Sequence, residues 1–211
     1  MLTKFIVISL FLISTSTLLA QDKNGGWFSL GVRSTVSKFS HDGFGLGTGG
    51  QFRIQLNDRV NSDWFADYIS INDKNSVRSE YYHIGWSILF YPFKERHYPK
   101  IIQPYIVAGH CFDYNKKTLI YNPSISEDRW GSAVQAGIGT HINLTKRFDI
   151  SLTTQYMVHL TNELEVVNTV IDDGHPHSHE TVTEIKQHNH SGLEGHLLAT
   201  ISLNYKIRKL W

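Results

Sequence analysis

The densest group of side chains able to bind a metal lies in residues 173–190, which read DGHPHSHETVTEIKQHNH. This segment holds five of the twelve histidines: His175, His177, His179, His188 and His190. Alternate residues of an extended chain share a face, so the first three histidines point the same way, as do the last two. If the chain folds back as a hairpin, the two sets can converge. Neutral imidazoles suit zinc, nickel or copper, so the segment is a candidate transition-metal site, the alternative being a solvated polar loop that binds nothing.

A second stretch, HLTNE at residues 159–163, could support catalysis. A histidine can activate a nearby hydroxyl, and an amide can stabilise the oxyanion that follows. The stretch resembles the His-x-Ser-Asn signature of outer-membrane lipid A deacylases, which would make His159, Thr161 and Asn162 its site. Threonine replaces the serine, however, and strand alternation turns His159 to the polar face. We therefore assign no catalytic residue and expect no enzyme, with a deacylase-like hydrolase as the alternative.

These candidate residues must be positioned by β-strands, because apolar and polar residues alternate along most of the chain. In RFDISLTTQYMVHL, for example, Phe148, Ile150 and Leu152 oppose Asp149 and Ser151. Alternation this sustained favours strands over helices. Similar patterns near 27–37, 45–56, 63–72, 78–91, 101–114, 130–144 and 193–207 bring the count to eight strands. The third and fifth strands have no clear phase.

The ends and the composition of the chain indicate an exported single domain. Lys4, the apolar run 5–12 and the small residues that lead to Ala20 form a signal peptide, so we expect residues 1–20 to be cleaved and residues 21–211 to form one domain. Lys and Arg number 20 against 19 for Asp and Glu, so no basic excess favours nucleic acid. Cys111 is the single cysteine and cannot form an internal disulfide.

Two barrel architectures bury one face of each strand, a soluble lipocalin-like barrel and a membrane barrel with lipid outside and a polar lumen. The polar face here carries Arg33, Arg53, Asp149 and Glu194 among many glycines, which suits a narrow lumen where opposite charges pair. The other face carries the larger Phe, Tyr, Trp and Leu side chains, as a lipid-facing surface would. The sequence thus predicts an all-β, eight-stranded antiparallel up-and-down transmembrane β-barrel, with a soluble periplasmic lipocalin-like ligand-binding barrel as the alternative.

The lengths of the connections support the membrane barrel. With the N-terminus in the periplasm, NDRVNSD (57–63) and TKR (145–147) are periplasmic turns, whereas 115–128 and 161–191 are external connections. Short turns inside and long loops outside are typical of outer-membrane barrels. The connection YPFKERHYPK at 91–100 is longer than this pattern predicts.

Three segments, QPYIVAGH (103–110), AGIGTHINLTKRFDISLTTQY (136–156) and ATISLNYKI (199–207), resemble the small eight-stranded outer-membrane proteins of the OmpA and OmpX kind from Gram-negative bacteria. The resemblance implies residence in the outer membrane, contact with its lipid, and recognition of Tyr205 or Trp211 by the barrel-insertion machinery. It says almost nothing about activity. We expect a structural or interaction role through the external loops, with an unknown extracellular partner and no required cofactor.

Overall fold

The computed structural model describes residues 25–39, 43–73, 77–93, 101–160, 164–172, 179–187 and 195–211. The strands are β1 (Trp27–Phe39), β2 (Gly43–Gln55), β3 (Val60–Asp73), β4 (Val77–Phe90), β5 (Ile102–Leu119), β6 (Ser126–Asn143), β7 (Phe148–His159), β8 (Leu164–Asp172), β9 (His179–Gln187) and β10 (Gly195–Lys209). In these ranges, no helix has the length and apolar character needed to span a bilayer. The expected signal peptide lies outside the described residues.

Eight of the strands close into an antiparallel barrel in the order β1-β10-β7-β6-β5-β4-β3-β2. The first and last strands meet along a seam that runs from the pair Trp27 and Lys209 to the pair Lys38 and Leu197. Closure removes the open edges that a sheet of this size would otherwise expose in the described wall. The predicted eight-stranded up-and-down barrel is confirmed.

The faces of the strands are arranged as a membrane barrel requires. Large apolar side chains point outward, and Phe44, Leu46 and Trp130 are each about 70 % exposed. Polar side chains such as Asp149 and Ser151 point inward and are buried. This arrangement is the reverse of a lipocalin-like barrel, in which the apolar face lines the interior. The lipocalin-like alternative is therefore not supported by the fold.

A row of aromatic rings crosses the outside of β3 to β6. Ring centroids lie 4.9 Å apart between Tyr68 and Tyr82, 5.8 Å apart between Tyr82 and Tyr114, and 5.1 Å apart between Tyr114 and Trp130. Beyond this row the outward positions become charged, as in the ion pair of Arg78 with Glu80. Aromatic rings between apolar and charged zones are typical of a boundary between lipid and water.

The connection expected at 115–128 is mostly strand, which corrects the prediction of a long loop there. β5 and β6 are 18 residues each and are joined by residues 120–125 alone. Lys116 lies opposite Asp128 and Lys117 opposite Glu127, and such cross-strand pairs of opposite charge stabilise a sheet above the aromatic row. Polar sequence in this region therefore marks strand outside the membrane rather than loop.

The connection between β7 and β10 contains a hairpin that the alternation pattern did not identify. β8 and β9 pair with each other, from Leu164 opposite Gln187 to Asp172 opposite His179. Leu164 and Ile185 are buried against Val77 and Leu119 at the barrel rim. The base of the hairpin is thus docked on the wall.

Apolar side chains also enter the lumen, which explains why β3 and β5 could not be phased. One inner cluster contains Phe65, Ile69, Ile71, Tyr81, Cys111, Ala133, Met157 and Leu198. Because both faces of β3 and β5 carry apolar residues in this region, their sequences do not alternate cleanly. Cys111 is fully buried, with its Sγ 3.8 Å from the Sδ of Met157.

Candidate functional site in the barrel lumen

A buried arginine forms the centre of the inner lumen. Arg53 donates from Nε and Nη2 to the two carboxylate oxygens of Asp63, at 2.6 and 2.9 Å. Its Nη1 lies 3.4 Å from Oδ1 of Asp149. The planar guanidinium matches the carboxylate of Asp63 in this two-pronged geometry. The pairing expected between Arg53 and Asp149 is present. Asp63 was missed because β3 had no clear phase and because residues 57–63 were predicted as a turn, whereas β3 begins at Val60.

A chain of hydrogen bonds continues from this centre towards the rim. Asn61 Nδ2 donates to the Tyr91 hydroxyl at 2.6 Å, and the hydroxyl oxygen lies 2.7 Å from His141 Nε2. Burial raises the pKa of Tyr91, which lies past the end of β4, well above its ordinary value, so the hydroxyl keeps its proton. His141 Nδ1 lies 2.7 Å from Ser151 Oγ and 3.4 Å from Arg53 Nη1. The prediction that His141 is a hydrogen-bonded lumen residue is confirmed.

A second ion pair fills the next layer of the lumen. Arg33 Nε lies 3.0 Å from Asp67 Oδ1, and its guanidinium carbon lies 4.5 Å from the ring centroid of Phe65. Gln51 bridges this layer to the wall by donating to Asn204 Oδ1 at 2.6 Å. The internal cavity that both arginines line is about 20 Å³, about the space of one water. Glu194, which we also expected in the lumen, lies outside the described residues.

The outer lumen holds a chain of histidines. His159 Nδ1 lies 3.2 Å from Asp113 Oδ2, and His159 Nε2 lies 2.9 Å from His196 Nδ1. A carboxylate only accepts, so Nδ1 of His159 donates, and a neutral His159 accepts from His196. The His83 ring stacks on His196 with centroids 5.9 Å apart. The inward phase of His83 and His196 was readable from the sequence, but their proximity to Asp113 was not, because β5 had no clear phase.

This chain does not have the form of a lipid-cleaving site. His159 faces the lumen and is 9 % exposed, whereas a deacylase histidine must meet its lipid substrate. Both of its ring nitrogens already have partners. Thr161, Asn162 and Glu163 lie outside the described residues. The deacylase-like alternative gains no support from the position of His159.

The predicted metal ligands lie almost wholly outside the described residues. Of the five histidines, only His179 is placed, as the first residue of β9, where its backbone pairs with Asp172. Positions 175 and 177 precede β9, whereas 188 and 190 follow it. The nine residues of β9 separate the two groups, and nine extended residues span about 30 Å. Among the residues that the structure describes, no group of three or more His, Cys, Asp or Glu side chains is placed to hold a metal ion.

Known proteins are similar to this chain in fold but not in sequence. No model of a known protein family matches the chain. No curated protein matches it either. Among solved structures, the chain is similar to a major outer membrane protein from Thermus thermophilus, with 9 % identity, a TM-score of 0.56, and coverage of 86 % of this chain and 99 % of that one. It is also similar to Neisserial surface protein A, with 14 % identity, a TM-score of 0.50, and coverage of 87 % of this chain and 98 % of that one.

The closed wall, the apolar exterior and the polar lumen define a transmembrane-type β-barrel. Within that class, the chain has the fold of the small eight-stranded outer-membrane barrels, as its resemblance to proteins of the OmpA and OmpX kind implied.

Proposed function

We propose that the protein is an outer-membrane barrel with a filled lumen that presents its external connections, chiefly residues 160–194, to a partner outside the cell. In this proposal residues 1–20 are a signal peptide and residues 21–211 are the mature barrel. The barrel anchors the protein in lipid, and the insertion machinery places it there. Recognition belongs to the segment between β7 and β10.

The observation that carries the proposal is the filled lumen. Arg53 with Asp63 and Arg33 with Asp67 occupy two successive layers, and the cavity beside them holds about one water. A barrel of eight strands has an interior just wide enough for side chains to fill. A solute would have to break both buried ion pairs to pass, which disfavours a role as an open pore.

The hairpin supports the part of the proposal that concerns interaction. Its base buries Leu164 and Ile185 on the rim, so the base of the hairpin has a defined position relative to the barrel. Residues that serve only to connect β7 with β10 would not need a two-stranded sheet of nine residue pairs. A docked hairpin is instead suited to presenting a fixed surface.

Two measurements test the proposal. The protein should fractionate with the outer membrane and show a folded band that shifts on boiling. In planar lipid bilayers the purified barrel should carry no persistent current at low voltage. A soluble periplasmic protein would contradict the membrane location, and a steady open current would contradict the filled lumen.

Metal binding by the external connection between β7 and β10 is a second candidate function. The pairing of Asp172 with His179 supports it in a narrower form, because positions 175 and 177 then fall in the six-residue connection between β8 and β9. We propose that this connection, with His175, His177 and His179, binds zinc, nickel or copper. His188 and His190, beyond the other end of β9, are not needed.

Calorimetric titration of zinc into the refolded barrel tests this second function. Changing His175, His177 and His179 together to Ala should abolish binding. The matched variant His188→Ala/His190→Ala should retain it. Loss of binding in both variants would contradict the narrower site, and no uptake by the parent protein would contradict metal binding altogether.

A further inference from the structure

An apolar groove of about 740 Å³ lies on the outer face of the barrel, centred on β1, β2 and β3, with further lining residues from β4, β7 and β10. Its floor is the row Val32, Gly50 and Ala66, which are direct neighbours in the strand register. One side of the groove is formed by Phe52 and Trp64, whose rings stack with centroids 5.9 Å apart and an angle of 4° between their planes. Small residues between large ones thus produce a depression in the surface that faces lipid.

Gly50 is not required by packing within the protein. At the preceding position, a Cβ on Gly49 would overlap Asp67 and the Ala66 carbonyl, so a glycine is needed there. A Cβ on Gly50 would come no closer than 3.8 Å to any other protein atom, the Gly31 carbonyl oxygen. Glycine in a strand interior weakens the strand. Its presence at position 50 therefore keeps open a space that the described protein does not use.

We propose that this groove is a binding site for one acyl chain of a membrane lipid, an inference that rests on the proposed membrane location. No charged side chain is among the residues that line the groove, so it suits hydrocarbon rather than a headgroup. Leu30 and Leu203, which also line the groove, are exposed apolar side chains. Dispersion contacts with the flanking rings would hold a chain that lies in the depression.

A second copy of the protein fits the groove less well. A symmetric dimer brings the same patch of each copy together, and two facing depressions leave a void between them. Good interfaces are packed as densely as protein interiors. A flexible chain can fill the concave surface, and another concave surface cannot.

Quenching of tryptophan fluorescence by lipids with brominated acyl chains tests the site. One variant keeps Trp64 alone and a matched variant keeps Trp86 alone, the remaining tryptophans being changed to Phe. Trp86 lies opposite Trp64 in the strand register, is similarly exposed (40 % against 44 %) and does not line the groove. In liposomes with a low fraction of brominated lipid, we expect quenching of Trp64 to exceed that of Trp86 about twofold, the ratio for a modest binding preference.

Filling the groove provides the second arm of the test. Gly50→Leu should reduce the quenching of Trp64 to the level of Trp86, and Gly50→Ala should reduce it in part. Equal quenching of the two tryptophans in the unfilled barrel, or no effect of Gly50→Leu in a folded barrel, overturns the acyl-chain site alone. Disulfide-linked dimers of a Gly50→Cys variant would assign the groove to a second copy and also overturn it. Absence of quenching at both tryptophans would instead show that the barrel is not in lipid, and the proposed location fails with the site.

Discussion

Arg53 holds the inner lumen together because it contacts Asp63, Asp149 and Ser151 at once. Such a buried ion pair adds little stability relative to apolar packing, since desolvation of both charges offsets their attraction. Removing one partner is different, because the other charge remains buried without compensation. The lumen is therefore most sensitive to single substitutions that remove one partner of a buried ion pair.

We expect Arg53→Met to destabilise the barrel by about 3–5 kcal/mol, because it leaves the carboxylate of Asp63 buried and unpaired. Urea unfolding of the refolded protein, followed by loss of the heat-shifted band, measures the change. Arg78→Met is the matched control, since Arg78 pairs with Glu80 on the exposed surface and its loss should alter stability little. Equal effects at the two positions would contradict the filled, paired lumen.

Two adjacent glycines should respond in opposite ways to alanine. Gly49→Ala forces a methyl group into Asp67 and the Ala66 carbonyl, so we expect poor refolding or a loss of several kcal/mol. Gly50→Ala has room outside the wall and should be neutral or stabilising by about 0.5–1 kcal/mol. Refolding yield and urea midpoints compare them. Similar losses at both positions would be evidence against the assigned faces of β2.

At the scale of elements, the structure divides the chain into a wall and one docked hairpin. The hairpin of β8 and β9 has contacts to the wall through Leu164 and Ile185, which pack on Val77 and Leu119, with Ile125 beside them. An isolated two-stranded hairpin is marginally stable in water, so this cluster is its main described support.

The variant Leu164→Ser/Ile185→Ser should release the hairpin from the rim while the barrel stays folded. Burial of each side chain contributes about 1.5–3 kcal/mol, so docking should be largely lost. Limited proteolysis in liposomes should then cut within residues 160–194 much faster than in the parent. Val167→Ser, on the hairpin but outside the cluster, should leave the cleavage rate nearly unchanged, and a matching acceleration there would refute the docking role.

The wall was predictable from the sequence because lipid and lumen demand opposite side chains at alternate positions. The faces of β2, β4, β6, β7 and β10 follow directly from that rule, and so does the inward position of His141. The acidic partners of the lumen arginines were not predictable on strands where this alternation fails. Phe65 and Ile69 point into the lumen, so β3 gave no phase and Asp63 and Asp67 were missed. The hairpin was missed because its rim contacts depend on tertiary position.

At the scale of the whole molecule, closure depends on the pairing of the first and last barrel strands. Thr35 lies opposite Thr200 across this seam, and their hydroxyl oxygens are 3.1 Å apart inside the barrel. Every other pairing of neighbouring barrel strands joins strands that follow one another along the wall, whereas the seam joins the two ends of the barrel, and Thr35 and Thr200 are 165 residues apart. The seam therefore completes the fold.

The variant Thr35→Cys/Thr200→Cys should form a disulfide on oxidation of the folded barrel, because directly paired strand positions have suitable Cα separations. After boiling without reductant, the linked chain should migrate ahead of the linear chain on a denaturing gel, and reductant should abolish the difference. The two single-cysteine variants, which retain Cys111, should migrate as linear chains. Unchanged mobility of the double variant would contradict the seam.

The complete burial of Cys111 has a kinetic consequence. A thiol-specific reagent should not reach this cysteine in the folded barrel, where the Met157 sulfur and the rest of the inner apolar cluster cover it. Modification then requires the wall to open, so its rate reports the spontaneous opening of the barrel. The native chain thereby carries an internal reporter of opening that needs no introduced label.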